Sequence, residues 1–263
     1  MRRRTLLTAA IAATAFATQG AHAETYDDIL RAKRIRVATD LALPPAGMVD
    51  AQMRPIGADV EVAQLLAGDW GVQLDFVPTT GPTRIPNLQT GKCDIIISTL
   101  SVTPERARVI DFSRAYAVLQ SVIGARKGLA LHGYGDLKDR TVAVTRGTTQ
   151  DTELTGIAAQ YGFHVVRYDD DATLVTAAVT GQADIVATSA SLVAQMGTRN
   201  PARGFTLQFL IRNFDLAIGV RKNDAVLLGK INDWIGVNLK NGKLNTIFRK
   251  YYGTDLPAAM HGA

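Results

Sequence analysis

Residues 91–106 read GKCDIIISTLSVTPER, which joins an apolar strand, a hydroxyl-rich turn and a helix start. The apolar run 95–97 predicts a buried strand, and Pro104 predicts the first turn of a helix. In open α/β sheets, ligands bind beyond the carboxyl ends of the strands. Arg106 falls at such a place, and its planar guanidinium suits a carboxylate. Taken alone, the segment equally fits a solvated arginine beside a Ser/Thr loop.

The first 23 residues predict a secretory signal peptide that is cleaved after Ala23. Three arginines at positions 2–4 precede an apolar run over 6–17, and the small-x-small pattern 21–23 follows. The apolar run is too short for a transmembrane helix, which needs about 20 apolar residues. The arginines also fit a twin-arginine signal, so the export route stays open. No later segment reaches transmembrane length. We therefore expect a soluble, periplasmic protein.

Charge and composition exclude several classes of function. The net charge is +5, and the three arginines of the signal supply much of it. The remaining Lys and Arg residues form no long basic run, and aromatic residues make up only 6% of the chain, so nucleic-acid binding is not expected. Cys93 is the single cysteine, which excludes a disulfide framework and a cysteine metal site. We predict no cofactor, no metal, a buried inert thiol and a monomer.

Strands and helices alternate along the mature chain, which predicts an α/β fold with parallel strand pairing. The first series, strand-helix-strand-helix-strand, covers residues 35–39, 59–67, 73–77, 83–90 and 94–98. The second series has strands at 121–125, 141–145, 164–168 and 184–188 and helices at 152–161 and 172–180. The tail adds a strand at 216–220 and helices at 225–241 and 243–251.

The two series echo each other, because each has a helix, a glycine cap, an aspartate and a buried strand. Gly91-x-x-Asp94 marks the first series and Gly181-x-x-Asp184 the second. We infer two similar lobes: residues 24–117 with 215–263, and residues 118–214. The chain crosses between them near 117–118 and near 213–214. Two such crossings predict a hinge with a cleft between the lobes.

Several short elements in this order are similar to the family-3 extracellular solute-binding proteins, the periplasmic receptors of ABC importers for polar amino acids. They are Val37-Ala38-Thr39-Asp40 with Pro44-Pro45, Gly57-Ala58-Asp59-Val60-Glu61, Arg84-Ile85-Pro86, Leu88-Gln89-Thr90-Gly91-Lys92 with Asp94, Thr103-Pro104-Glu105-Arg106-Ala107, Asp111-Phe112-Ser113, Gly147-Thr148-Thr149, and Gly181 with Asp184. The resemblance covers residues 35–252. It implies two Rossmann-like lobes joined by a two-strand hinge (the type II periplasmic-binding-protein fold), no catalysis, and an inner-membrane ABC permease as partner.

The resemblance also implies a ligand site. Arg106 resembles the arginine that binds the ligand α-carboxylate, and Thr99 and Ser101 match positions that contact its head group. In the other lobe, Thr148 and Thr149 begin a helix whose N-terminus suits the same carboxylate. Both threonines could instead simply cap that helix. Ser98 is expected to contact the rest of the ligand.

Two departures from the family pattern put the solute in doubt. Ser189 stands where amino-acid binders usually carry an aspartate for the ligand ammonium, and a hydroxyl cannot neutralise a buried charge. The site also has fewer aromatic residues than is usual in the family: Leu43, Ala46 and Ala58 stand where Tyr or Phe is common. The sequence therefore identifies neither the solute nor the fate of the ammonium site.

Three arginines fall at cleft positions in this scheme: Arg84, Arg106 and Arg146. If two of them face the cleft, the site favours an anionic solute, which is either an acidic amino acid or an organic acid without an ammonium group. Arg84 and Arg146 could equally be surface arginines. Asp40 could contact a ligand side chain, replace the missing ammonium partner or cap the turn that follows it.

Two other classes of function remain open. A few relatives with this fold are dehydratases that act on cyclic carboxylates, and such an enzyme would need a cleft carboxyl group as general acid. Asp40 is the main candidate, and no Ser-His-Asp arrangement is apparent. A tethered sensor module would carry a transmembrane segment, and we expect none here, although a closed lobe face could still be presented to a separate receptor. We therefore expect a solute-binding protein and no enzyme.

Overall fold

The computed structural model describes residues 26–260, so the predicted signal peptide lies outside the described residues. Up to residue 125 the elements are α1 (Tyr26–Ala32), β1 (Arg34–Thr39), β2 (Met48–Val49), β3 (Pro55–Ile56), α2 (Ala58–Trp70), β4 (Gln73–Pro78), α3 (Arg84–Gln89), β5 (Ile95–Ile96), α4 (Pro104–Ala107) and β6 (Ile110–Ala125). Then follow β7 (Thr141–Thr145), α5 (Thr149–Tyr161), β8 (His164–Tyr168), α6 (Asp171–Thr180), β9 (Ile185–Ser189), α7 (Ala190–Arg199), β10 (Thr206–Arg221), α8 (Ala225–Lys240) and α9 (Lys243–Tyr252). None of the helices within 26–260 has the length and apolarity to cross a bilayer.

Eight strands form one mixed sheet in the order β4-β1-β5-β10-β6-β9-β7-β8. β1 pairs in parallel with β4 and β5, and β7 pairs in parallel with β8 and β9. We call β4-β1-β5 the first strand group and β9-β7-β8 the second. Between them run the long strands β6 and β10, which pair with each other in antiparallel fashion. The predicted α/β class, with two similar groups joined through two crossing strands, is confirmed.

Both crossings lie inside β6 and β10 rather than in loops. β6 continues through residues 117–118, and β10 continues through 213–214. The register between them shifts between Leu216 and Ala217, and such a bulge bends a strand locally. The division into lobes at 117/118 and 214/215 stays a prediction.

Each parallel group has apolar side chains on both faces because helices cover both faces. In the first group, Ile95 and Ile97 pack into the core beneath α2 and α8, whereas Ile96 packs on the opposite face with Leu88 and Leu100. The second group repeats this arrangement, with Val186 on one face and Ile185 on the other.

The two glycine-aspartate elements that suggested a repeat differ in burial. Gly91 and Gly181 both have positive φ angles, +72° and +98°. Asp94 is fully buried, and its carboxylate accepts hydrogen bonds from the backbone N–H and the guanidinium of Arg36. Asp184 is half exposed and pairs with Arg126 and Arg203. The repeat therefore preserves an arginine-paired aspartate beside β5 and β9.

Three features differ from the expected elements. β6 and β10 are much longer than the strands predicted at 121–125 and 216–220, because pairing along each other extends them beyond their apolar runs. Helix α7 was not predicted, and it begins where the Ser189 hydroxyl accepts a hydrogen bond from the N–H of Leu192. Helix α5 begins at Thr149 instead of residue 152 because Thr148 caps it.

Candidate functional site

The loop after β5 is held by a buried carboxylate, that of Asp59 on α2. Thr99 has a left-handed backbone (φ +46°), and its N–H and hydroxyl donate to Asp59 Oδ2 at 2.6 and 2.9 Å. The hydroxyl of Tyr116 donates to Asp59 Oδ1 at 2.7 Å. Burial raises the pKa of Asp59, while these hydrogen bonds act in the opposite direction. Asp59 therefore fixes the polar loop from behind.

Arg106 extends from α4 toward the second strand group. The hydroxyl of Thr103 caps α4 by accepting from the Arg106 N–H. The guanidinium donates from Nη1 to the carbonyl of Ser101 at 3.0 Å and from Nη2 to the carbonyl of Gly147 at 3.1 Å. Burial, and then the nearby charge of Arg84, lower the pKa of Arg106 to about 10, so it stays cationic at neutral pH. Residues of both strand groups, Ser101 and Gly147, therefore fix the position of the Arg106 guanidinium.

Arg84 is buried behind the same loop. Its Nη1 donates to the carbonyl of Ser98 at 2.5 Å, and its Nη2 lies 4.0 Å from Asp40 Oδ2. Its Nε has no hydrogen-bond partner in the described structure. Arg84 is thus a buried cation of the site and not a surface arginine.

Asp40 and Ser98 lie beneath the loop and do not line the cavity described below. The N–H of Asp40 donates to the Ser98 hydroxyl oxygen at 3.0 Å, and Asp40 Oδ1 accepts from the N–H of Ala42 at 2.9 Å. Burial raises the pKa of Asp40, although Arg84 opposes this. Asp40 thus caps the turn that follows it, which was one of the three roles considered for it.

The second strand group contributes the N-terminus of α5. The Thr148 hydroxyl accepts from the N–H of Asp151 at 3.2 Å and donates to the carbonyl of Thr145 at 2.7 Å, so this residue caps the helix. Thr149 and Gln150 follow it and are buried. Because the first N–H groups of a helix have no intrahelical acceptor, those of Thr149 and Gln150 are available to an anion.

Asp171, which is not among the predicted site residues, lines the same cavity as Arg106 and Thr149. It is the first residue of α6, is 3% exposed, and accepts a 2.6 Å hydrogen bond from the hydroxyl of Thr145. Burial raises the pKa of Asp171 to about 6, with Asp40 and Asp170 acting in the same direction and Arg84 against it. The Asp169-Asp170-Asp171 run at the start of a helix was the available signal, but it reads equally well as helix capping.

Two further predicted site residues, Arg146 and Ser189, lie in different places. Arg146 is half exposed, pairs with Asp169 at 3.2 Å and does not line the cavity. Ser189 is buried and lines the cavity, and its hydroxyl caps α7. The structure therefore brings Arg84 and Arg106 together and leaves Arg146 at the surface.

A small cavity of about 40 Å³ lies where these groups meet. Its lining consists of Leu43, Arg84, Thr99, Ser101, Arg106, Leu119, Thr148, Thr149, Gln150, Asp171, Thr188 and Ser189. All the predicted site residues are among them except Asp40, Ser98 and Arg146. The cavity contains two guanidinium groups, one carboxylate and a helix N-terminus, so it can bind a charged polar solute of small size.

A larger groove of about 720 Å³ adjoins the cavity and shares Leu119 and Ser189 with it. Its lining includes Pro44, Phe248 and Tyr251 and contains no Lys or Arg. The smaller cavity is therefore the better candidate for binding a carboxylate, because the guanidinium groups line it and not the groove.

Metal binding and thiol chemistry find little support in the described part of the chain. Among residues 26–260, no three His, Cys, Asp or Glu side chains are grouped to hold a metal ion. Cys93 is buried as predicted, and burial raises the pKa of its thiol to about 11, which keeps the thiol protonated at neutral pH.

Comparison with known proteins extends over nearly the whole described chain. A model of the bacterial extracellular solute-binding proteins, family 3, matches residues 35–254. The L-arginine-binding protein of Pseudomonas aeruginosa is 29% identical over 232 residues, which is 85% of this chain and 90% of that protein. An ABC transporter glutamine-binding protein of Bacillus subtilis is 26% identical over 203 residues, covering 76% and 73% of the two chains.

Solved structures show the same arrangement. The solute receptor for L-cysteine of Neisseria gonorrhoeae has a TM-score of 0.81 and 29% identity, and the match covers 87% of this chain and 93% of that one. An ancestral amino acid-binding protein, described as a precursor of cyclohexadienyl dehydratase, has a TM-score of 0.79 and 30% identity, with 86% and 98% covered. These similarities include both strand groups.

Proposed function

This chain belongs to the bacterial extracellular solute-binding proteins, family 3, and we propose that it binds a small carboxylate-bearing solute in the cavity between its strand groups. The solute is a polar or acidic amino acid, with a non-amino organic acid as the alternative. The protein acts as the binding component of an ABC importer and delivers the solute to the permease.

One observation carries this proposal: two carboxylate-binding groups from opposite strand groups line one cavity. Arg106 comes from α4, beside the first group, and Thr149 with Gln150 begins α5 in the second group. A guanidinium pairs with both oxygens of a carboxylate, and a helix N-terminus adds N–H donors and a positive dipole end. A carboxylate placed between them would bind to both groups at once.

Such a ligand favours the state in which the two groups are close. Arg106 reaches Gly147 in the structure, so the groups already touch beside the site. A ligand that contacts both groups has a higher affinity for the closed arrangement than for an open one, and it shifts the population accordingly. A permease that recognises the closed arrangement would then distinguish loaded from empty protein.

The remaining parts of the proposal follow from the same class of protein. We propose that the mature chain begins after Ala23, resides in the periplasm and acts as a monomer. We further propose that residues 24–117 with 215–263 and residues 118–214 form the two lobes that move about β6 and β10. The relatives' names specify arginine, glutamine and cysteine, so the family alone does not select one solute.

A thermal-shift screen tests the carboxylate site, because a ligand that binds the folded state raises Tm by mass action. The panel consists of the twenty proteinogenic L-amino acids, L-cystine, succinate, glutarate and 2-oxoglutarate. We expect at least one of them to raise Tm of the wild type and Arg106→Ala to abolish that rise. Arg146→Ala is the matched control, because Arg146 is exposed and does not line the cavity. A full shift in Arg106→Ala would overturn the carboxylate site.

A dehydratase activity is the second candidate, and Asp171 is the observation that favours it. A buried carboxyl group with a pKa of about 6 can donate a proton to a leaving hydroxyl near neutral pH. Incubation with prephenate or arogenate, followed by detection of an aromatic product, separates the candidates. Product formation that is lost in Asp171→Asn would identify an enzyme, whereas its absence together with tight amino-acid binding supports the binding protein.

A further inference from the structure

Asp171 is a buried carboxylate without a cationic partner among residues 26–260. Its described hydrogen bond comes from the Thr145 hydroxyl, and none of the ion pairs includes it. Arg84 is the nearby cation, but the carboxylate 4.0 Å from its guanidinium is that of Asp40. Because burying an unpaired carboxylate is costly, a position of this kind indicates a site whose cation arrives with the ligand.

The cavity also has charge of both signs on its wall. Arg106 and the N-terminus of α5 supply positive potential, and Asp171 supplies a negative charge. A zwitterionic head group matches both signs, whereas a dicarboxylate has no positive group to offer Asp171. Arg106, the first two residues of α5 and Asp171 all line this one cavity.

Ser189 cannot serve as the ammonium partner. Its hydroxyl oxygen accepts a 3.2 Å hydrogen bond from the N–H of Leu192, and it carries no charge. Asp40 is not suited either, because it does not line the cavity and accepts from the N–H of Ala42. Among the residues that line the cavity, Asp171 is the carboxylate.

We propose that Asp171 binds the α-ammonium group of the solute, so that the solute is an α-amino acid and not an organic acid without an amino group. This inference rests on the proposed function, since it assumes that Arg106 and α5 bind the carboxylate of the same molecule. It moves the ammonium site from the end of β9, where Ser189 lies, to the start of α6.

Pairs of ligands that differ only in the α-amino group test the proposal by isothermal titration calorimetry. They are L-glutamate with glutarate, L-glutamine with glutaramate, and L-arginine with 5-guanidinopentanoate; any other amino acid that raises Tm in the screen is paired with its desamino acid. We expect the wild type to bind the amino acid at least about 100-fold more tightly than its desamino partner, since an ion pair in a buried site is lost.

The variant Asp171→Asn should remove that preference by weakening the amino acid about 100-fold while leaving the desamino acid within about threefold. Asp169→Asn is the matched control, because Asp169 is two residues away, 85% exposed and paired with Arg146. A Tm of Asp171→Asn at or above that of the wild type demonstrates that the variant is folded.

Desamino acids that bind the wild type as tightly as the amino acids, or full amino-acid affinity in Asp171→Asn, would overturn this proposal and leave the carboxylate site standing. Absence of binding by every amino acid and every organic acid would overturn the proposed function as well.

Discussion

The guanidinium Nη2 of Arg106 donates a 3.1 Å hydrogen bond to the carbonyl oxygen of Gly147, which joins α4 to the loop before α5. A second close approach lies beside it. A Cβ atom on Gly81 would be 2.9 Å from the carbonyl oxygen of Arg146, and one on Gly147 would be 3.2 Å from Cα of Pro82. The two strand groups therefore meet along a seam of backbone next to the cavity, and this seam sets how closely they approach.

Gly81→Ala should weaken ligand binding without unfolding the protein. The added methyl would meet a backbone oxygen, so the two groups must move apart to accommodate it. The apparent affinity then falls with the population of the closed state, and we expect a loss of about tenfold by calorimetry. Gly68→Ala in α2 is the control, because nothing lies within 4 Å of its Cβ position. Equal affinities of Gly81→Ala and Gly68→Ala would show that the seam does not limit how closely the two strand groups approach.

Asp171→Asn should stabilise the protein in the absence of ligand at pH 8. The buried carboxylate has a pKa of about 6, which is above its usual value, so ionisation opposes folding. The charge is carried at pH 8 in both states, and we expect a gain of about 1–3 kcal/mol in the free energy of unfolding. The gain should shrink as pH falls from 6 to 4, because the folded wild type then takes up a proton. Urea unfolding at pH 8 and pH 4.5 measures both values, and a loss of stability at pH 8 contradicts the prediction.

Affinity for an amino acid should decrease below pH 6. Asp171 must be ionised to pair with an ammonium group, and its pKa in the unliganded protein is about 6. Binding is therefore strongest above that value and weakens by up to about tenfold for each pH unit below it. Calorimetry between pH 5 and pH 8 measures the slope. The same titration of Asp171→Asn should be flatter, and an identical slope would assign the effect to another group.

Asp59→Ala should be among the more damaging substitutions near the site. It leaves the N–H and hydroxyl of Thr99 and the hydroxyl of Tyr116 without their acceptor in a buried place. We expect a loss of about 3 kcal/mol in urea unfolding, because several buried donors become unsatisfied. Tyr116→Phe removes one of the three hydrogen bonds and should cost about 1 kcal/mol. Equal losses would show that Asp59 does not hold the loop.

The matched aspartates of the two glycine elements should differ in their effect on stability. Asp94 is fully buried and bound to Arg36, so Asp94→Asn weakens a buried ion pair and should cost about 3 kcal/mol. Asp184 is 46% exposed, and its pairs with Arg126 and Arg203 are screened by solvent, so Asp184→Asn should cost below about 1 kcal/mol. Thermal unfolding of both variants measures the difference, and the reverse order would contradict it.

Much of the fold was predictable because its signals are local. Residues 141–145 and 164–168 are strands as predicted, and Gly181 ends α6 with a positive φ angle. Apolar runs and glycine caps act over a few neighbouring residues, so they can be recognised without knowing what surrounds them. The full length of β6 and β10 was missed because it comes from pairing between strands about a hundred residues apart in sequence.

The site was predicted only in part, and the predictions that were incomplete concern its charged residues. Arg84 and Arg146 looked equivalent in the sequence, yet one is buried beside Ser98 and the other pairs with Asp169 at the surface. Asp59 and Asp171 each stand in the first turn of a helix, where an aspartate is favourable with or without a ligand. Asp59 also holds the Thr99 loop, and Asp171 also lines the cavity. These further roles depend on what packs against each helix, which the local sequence does not show.

The sequence by itself determined the α/β class, the two strand groups and Arg106 beside a polar loop, because each is encoded by a short pattern of apolar, glycine and hydroxyl residues. The tertiary structure alone decided which charges share the cavity. Arg84 and Asp171 come from separate strand groups, and they line one cavity because β6 and β10 join the two groups in a single sheet. Burial and desolvation depend on that arrangement, so the sign of the charge offered to a ligand could not be obtained from local patterns.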